Sequence, residues 1–248
     1  MRYFVELSYK GTNYNGWQIQ LNAPSVQAEI EKALSAILRT PMSIVGAGRT
    51  DTGVHALHYV AHFDIETHIE DRPGLCYHLN MLLPKDIAIK RIVPVRGDAH
   101  ARFDAVSREY KYYMRAKKDP FSRETSWQYY VELDVDKMNE AASRLIEFED
   151  FTTFAKLDSG NKTNICHIEH AAWDWDGDTL VFTIRANRFL RNMVRAITGT
   201  LVEVGRGKMS PSRFSEIIGL RDLSLSGSSA PAQGLFLSDV RYPEDVYL

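Results

Sequence analysis

Stretches that alternate every second residue trade places with stretches of helical spacing along the whole chain, and this constrains the fold before any motif is read. Tyr3, Val5, Leu7 and Tyr9 alternate as a strand, and Ser25 caps a helix with Val26, Ile30, Leu34 and Ile37 on one face. A strand through Ser43 to Gly46 and a long strand from Val54 to Ile65 follow. Asp71 and Pro73 open a helix that Pro84 stops, and Asp86 to Val95 is another strand. Arg96 to Asp104 is polar and irregular, which places a hinge near Ala105. Beyond it, Arg108 to Ala116 alternates as a strand, and Asp136 caps a helix with Met138, Ala142, Leu145 and Ile146 inward. Cys166 to Trp175 and Asp178 to Ala186 flank Asp176-Gly177, a hairpin turn signal. A helix bearing Leu190, Met193, Val194, Ile197 and Leu201 ends at Gly205 as its C-terminal cap. Ser210-Pro211 starts a short helix, Leu225 to Ala232 is a small-residue loop, and Leu235 to Tyr242 is a last strand. The order predicts an α+β chain of two domains, 1–105 and 106–248, with mainly antiparallel sheets.

One stretch carries chemistry. Gly46-Ala47-Gly48-Arg49-Thr50-Asp51-Thr52-Gly53-Val54-His55-Ala56 holds a single carboxylate between two turn-forming glycines, with a cation two residues before it. Glycines let the backbone turn sharply and approach a ligand closely. Asp51 on such a turn is free to face a cleft, and Arg49 is expected to keep it ionised. An ionised, positioned carboxylate suits attack on an electrophilic carbon.

The 248 residues suffice for a sizeable core, and 44% hydrophobic with 25% charged residues is the balance of a globular protein. Cys76 and Cys166 give neither a disulfide framework nor a metal-ligand spacing, and no apolar run has the length of a leader or a membrane span. A cytoplasmic protein without membrane attachment is expected, so the Asn161-Lys162-Thr163 glycosylation triplet is a chance match. The net charge of −2 hides an uneven distribution. Glu132 to Asp150 is acid-rich. Arg108, Lys111, Arg115, Lys117, Lys118 and Arg123 form one basic stretch, and Arg185, Arg188, Arg191 and Arg195 another. Tyr110, Tyr112 and Tyr113 interleave the first and Phe189 the second, which pairs cations for phosphates with flat rings for bases. Arg188, Arg191 and Arg195 are spaced to share one helix face.

The stretch around Asp51 resembles the GxGRTDxGVHA motif of the TruA-type tRNA pseudouridine synthases, with Thr52 where many relatives have Ala. Further matches occur in order: Tyr9-Lys10-Gly11-Thr12 with Gly16-Trp17-Gln18, Leu83-Pro84-Lys85-Asp86-Ile87, and His100-Ala101-Arg102-Phe103. Arg108-Glu109-Tyr110-Lys111-Tyr112, Phe189-Leu190 with Met193-Val194-Arg195, and Ala230-Pro231 with Gly234-Leu235-Phe236-Leu237 complete the set. The resemblance implies two α/β sandwich domains meeting at a central RNA-binding cleft, a homodimer, and no cofactor or metal. It implies conversion of uridine to pseudouridine at positions 38, 39 and 40 of the tRNA anticodon arm, on a nucleotide flipped out of its stack. Asp51 is then the catalytic carboxylate, attacking the sugar or the uracil or abstracting a proton. Tyr110 stacks on the flipped base and serves in proton transfer, and Arg195 pairs with Asp51. Arg49 fills the space left by the base or meets phosphates, Arg188, Arg191 and Lys111 bind the backbone, and Leu235 is an apolar wall. Cys166 stands where many members carry an arginine, so one RNA contact is expected to be missing.

Other readings are weaker on the residues. Asp51-Thr52-Gly53 is also the aspartic-protease triplet, but that chemistry shares a proton between two such aspartates and the chain has one triplet. His55, His58 and His62 are a poor metal set, because alternation puts His55 on the opposite strand face from the other two. Gly46-Ala47-Gly48 lacks the rest of a phosphate loop. A catalytically inactive tRNA-binding module, or a synthase acting on another RNA, remains the alternative.

Overall fold

The computed structural model describes residues 1–156, 160 and 162–248; Asn161, the acceptor of the glycosylation triplet, lies outside the described residues. The chain divides into two compact units, residues 1–106 with 237–248, and residues 107–236. The last strand therefore returns to the first unit.

In the first unit β1 (Arg2–Tyr9) is paired antiparallel on both sides, with β4 (Ile87–Val95) and with β3 (His55–Asp64). A strand flanked on both edges and covered on both faces reads as a nearly continuous apolar run, and Tyr3, Phe4, Val5 and Leu7 are all buried. The one charge among them, Glu6, is held by Arg91 in an ion pair at 2.7 Å. β2 is only Val45–Gly46, pairing β3 just before the Asp51 motif. Helix α1 (Val26–Leu38) is capped by Ser25, whose Oγ accepts the Ala28 N–H, and it buries Val26, Ile30, Ala33 and Leu34. Helix α2 (Arg72–Leu82) is capped by Asp71 and packs on β4. From Leu237 onward, β9 (Leu235–Arg241) lies in this unit, beside β3.

In the second unit β5 (Ser107–Arg115) pairs antiparallel with β8 (Thr179–Ala186), which pairs antiparallel with β7 (Ile168–Asp176). The two-residue β6 (Trp127–Gln128) runs parallel to the end of β5 and is too short to leave a periodic signal. Helices α3 (Val135–Ser143), α4 (Met193–Gly205) and α5 (Pro211–Leu220) pack on one another, with α3 also on β7. Mainly antiparallel strands with helices packed against them give the α+β class the sequence predicts.

Several local expectations change. The α3 cap is Asp134, whose carboxylate accepts the Lys137 N–H at 3.0 Å; Asp136 falls in the first turn, where its charge suits the helix dipole. After Ser143 the chain tightens to a 3₁₀ turn, Arg144–Glu147, so the helical spacing breaks: Leu145 is buried and Ile146 is exposed. Asp176 pairs with Thr179, so the hairpin turn is Gly177-Asp178, one residue later, with Gly177 at φ +57. Gly205 is the last residue of α4 and not its cap. A Cβ there would meet the Met138 sulfur at 2.5 Å, and the left-handed residue after the helix is Gly207, φ +71.

Candidate active site

The Asp51 loop is built on a platform of aromatic rings within the first unit. Trp17 stacks on Tyr59 at 4.0 Å between centroids, and Tyr9 lies 5.6 Å from Tyr59. Each of the two tyrosine rings carries a polar handle where the loop needs one. The Tyr9 hydroxyl hydrogen-bonds Thr50 Oγ1 at 2.9 Å, and the Tyr59 hydroxyl donates to the Gly48 carbonyl. Gly46 is small because a Cβ would meet the Tyr59 hydroxyl at 2.1 Å and the Trp17 ring at 2.6 Å. Above this platform the Val54 N–H donates to the Asp51 carbonyl at 3.1 Å, closing a turn in which Gly53 takes φ +78. A turn with positive φ at its third residue is one that glycine forms without strain.

The opening strings of the chain clamp this turn. The Gly53 N–H donates to the Tyr14 carbonyl and the Trp17 N–H to the Thr50 carbonyl. Gly16, at φ +90, sits so close that a Cβ would be 2.2 Å from Thr50 O, and a Cβ on Gly11 would be 2.0 Å from Val54 O. His55 is fully buried and its Nδ1 accepts the Gly11 N–H at 2.9 Å. Asp86 holds the same segment from the other side. Its carboxylate accepts the Tyr14 hydroxyl at 2.5 Å and Asn13 Nδ2 at 3.0 Å, and its carbonyl accepts the Lys10 N–H. Burial, with that carboxylate beside it, pushes the Tyr14 phenol above its ordinary range. Tyr9, Gly11, Gly16, Trp17, Tyr59 and Asp86 thus position Asp51. The sequence offers five of the six as motif letters without a role, and Tyr59 as one residue of a strand.

Asp51 itself is half-buried, while Arg49 and Thr52 are exposed. Arg49 makes no ion pair with Asp51, contrary to expectation: its guanidinium stays in water, where an exposed pair gains little. Gly48 differs from its neighbours, since a Cβ there meets nothing within 4 Å. His62, the other buried histidine of β3, accepts the Ala101 N–H through Nδ1 at 3.1 Å. Among the described residues no three His, Cys, Asp or Glu side chains gather as a metal set.

The remaining predicted residues lie in the second unit. Tyr110 is half-buried on β5 and its ring meets Phe189 edge-on at 5.2 Å. Alternation turns Lys111 to the opposite face of β5, so it does not share the Tyr110 surface. Tyr112 is a core residue and not a platform for bases: it is fully buried and its hydroxyl donates to the Pro231 carbonyl at 2.7 Å. Arg195 is half-buried on α4, with Nε donating to the Ala230 carbonyl at 2.8 Å while its own carbonyl accepts the Ala230 N–H. A Cβ on Gly234 would stand 2.6 Å from the Tyr112 ring, and Leu235 follows, buried at the start of β9. The segment 230–235 therefore ties Arg195 to β5. Arg188 and Arg191 do not share a helix face with Arg195. Asn192, at φ +66, sets the start of α4 at Met193, and both arginines precede it, Arg188 half-buried and Arg191 exposed. Cys166 is fully buried and burial pushes its thiol up to about 11, so this position packs as a small apolar side chain.

A family model described as tRNA pseudouridine synthase matches residues 7–104 and 123–243. The chain belongs to the tRNA pseudouridine synthase family. Proteins named tRNA pseudouridine synthase A are similar to it end to end. The one from Parabacteroides distasonis is 55% identical over 99% of this chain and 98% of its own. That from Bacteroides thetaiotaomicron is 54% identical over 99% and 92%, and that from Aliivibrio salmonicida 40% identical over 99% and 94%. The matched segments of the tRNA pseudouridine synthase family include Arg49, Asp51, Arg188, Arg191, Arg195 and Leu235, whereas Tyr110 and Lys111 fall between them.

Proposed function

We propose that this chain is an isomerase that converts uridine to pseudouridine in tRNA, with Asp51 as the catalytic carboxylate. The observation that carries the reading is the family match over both segments, together with a carboxylate held on a clamped turn inside the first of them. The C1′–N1 bond breaks, the uracil turns in place, and C5 bonds to C1′. All atoms of the uridine are kept, so the reaction needs a site that holds the freed base, and the nucleotide must leave its stack to react.

Within this reading Tyr110 stacks on the uracil and Arg195 pairs with Asp51, its guanidinium oriented by the Ala230 carbonyl. Leu235 supplies an apolar wall. Arg49, exposed beside the turn, takes the space vacated by the base or a phosphate. Arg188 and Arg191 reach phosphates from the segment before α4, and Lys111 from the other face of β5. Open space at Gly48 admits a close backbone approach by the ligand. We further propose the anticodon arm, positions 38, 39 and 40, as the target, two domains sharing the RNA, and a cytoplasmic homodimer. No described helix is long and apolar enough to cross a membrane. Incubation with unmodified tRNA carrying uridine at those positions, followed by mapping of pseudouridine, tests the reading. Conversion there supports it, conversion elsewhere only moves the target, and no conversion of any tRNA uridine contradicts it.

A further inference from the structure

β5 ends at Arg115 and β6 begins at Trp127, and the connection between them carries an aromatic ring that the chemistry at Asp51 leaves unused. Phe121 is 96% exposed. A lone exposed apolar residue is ordinary. This one is presented on a fixed turn. The Asp119 carboxylate accepts the Phe121 N–H at 3.0 Å, the Ser122 carbonyl accepts the Thr125 N–H and the Ser126 hydroxyl, and Gln128 Nε2 donates to the Asp119 carbonyl at 2.7 Å.

The charges around the ring sort into spent and unspent. Lys117 pairs with Asp178 at 2.9 Å and Arg115 with Asp119 at 3.4 Å. The neighbouring Glu124 already has an interaction of its own. Lys118 and Arg123 are exposed and make no ion pair or hydrogen bond among the described residues. A flat exposed ring flanked in sequence by two exposed cations that make no ion pair matches a nucleotide that is unpaired: the ring stacks a base and the cations meet its flanking phosphates. The connection starts from the end of the strand that carries Tyr110. Tyr110 and Arg115 are five steps apart on one strand, about 17 Å at roughly 3.3 Å per residue, and Phe121 lies on the connection that follows. Lys118 and Phe121 also fall between the two segments that the family model matches.

We propose that Phe121, with Lys118 and Arg123, forms a second RNA-contact site, which stacks an unpaired base of the tRNA substrate other than the reacting uridine. The proposal rests on the reading of the chain as a tRNA pseudouridine synthase. Its test is the steady-state kinetics of the full chain on unmodified tRNA at several salt concentrations, with sedimentation of each variant alongside. Phe121→Ala is expected to raise KM about tenfold and leave kcat within about twofold, as for loss of one stacked base. Lys118→Ala with Arg123→Ala is expected to flatten the salt dependence of binding by about 1.4 in log–log slope, the value for two single-strand phosphates. Unchanged KM and slope in these variants, with the wild type active, overturn the second site alone. A wild type that converts nothing overturns the functional reading instead. A lower sedimentation coefficient for Phe121→Ala, with KM unchanged, means that the ring docks on a second copy of the chain and overturns the RNA contact.

Discussion

Gly16 is the residue on which the Asp51 turn is most exposed to a single change. Its φ of +90 disfavours any side chain, and a Cβ would stand 2.2 Å from the Thr50 carbonyl oxygen. Gly16→Ala is expected to destabilise the chain by about 2 kcal/mol or more, read from urea denaturation, and to lower kcat because the strain falls beside Asp51. Wild-type stability and kcat in this variant would contradict the clamp. His62 sets a pH dependence. Burial first, then Arg2 and His100, hold its imidazole down at about 4, from an ordinary value of 6.5. The unfolded chain therefore takes up this proton first, and stability drains as pH falls from about 6.5 towards 4. His100, also lowered by burial, adds in the same direction. His62→Gln is expected to flatten the stability-against-pH curve over that window, and an unchanged slope would place the effect elsewhere. At this scale Gly53 was readable from Asp-Thr-Gly alone, because its turn is local. The need for glycine at 16 was not, because the clashing atom belongs to Thr50, far along the chain.

Helix α4 shows what spacing alone misses. The apolar residues from Leu190 to Leu201 predict one continuous helix, and on it three aligned arginines. Asn192 interrupts the count at φ +66, its Nδ2 donating to Ser229 Oγ, and only Arg195 remains helical. Periodicity records which residues are buried and does not record a single left-handed residue among them. The small-residue loop before β9 was readable as a loop, yet its reason lies in α4: a Cβ on Gly199 would meet the Ser228 carbonyl at 1.8 Å, and the Gly227 N–H donates to Thr200 Oγ1 at 2.9 Å. Gly199→Ala is expected to displace residues 227–230 and with them the Ala230 carbonyl that orients Arg195. A drop in kcat of at least about tenfold, beyond any loss of stability, checks this. Activity at the wild-type level would show that the Arg195–Ala230 contact has no bearing on turnover.

Over the whole molecule, the alternating strands and helices gave the α+β class, but not that the last strand belongs with the first unit. Val106 donates to the Arg241 carbonyl, a pairing between distant parts of the chain that leaves no local pattern. Charge is the other whole-molecule property. A net −2 gives no hint of a polyanion partner, whereas the basic stretches do. Binding of tRNA is expected to weaken about 50-fold or more between roughly 50 and 200 mM salt, as for about four neutralised phosphates, and a flat response would contradict an RNA surface built from those stretches. The central claim is narrower: that the clamped turn exists to present one carboxylate to a uridine. Pseudouridine formation by wild type and Asp51→Asn on unmodified tRNA, with tRNA affinity measured for both, tests it most directly. The account predicts conversion by the wild type, a loss of at least about a thousandfold in the variant, and affinity for tRNA that is retained. Conversion by Asp51→Asn at a rate near that of the wild type would contradict it.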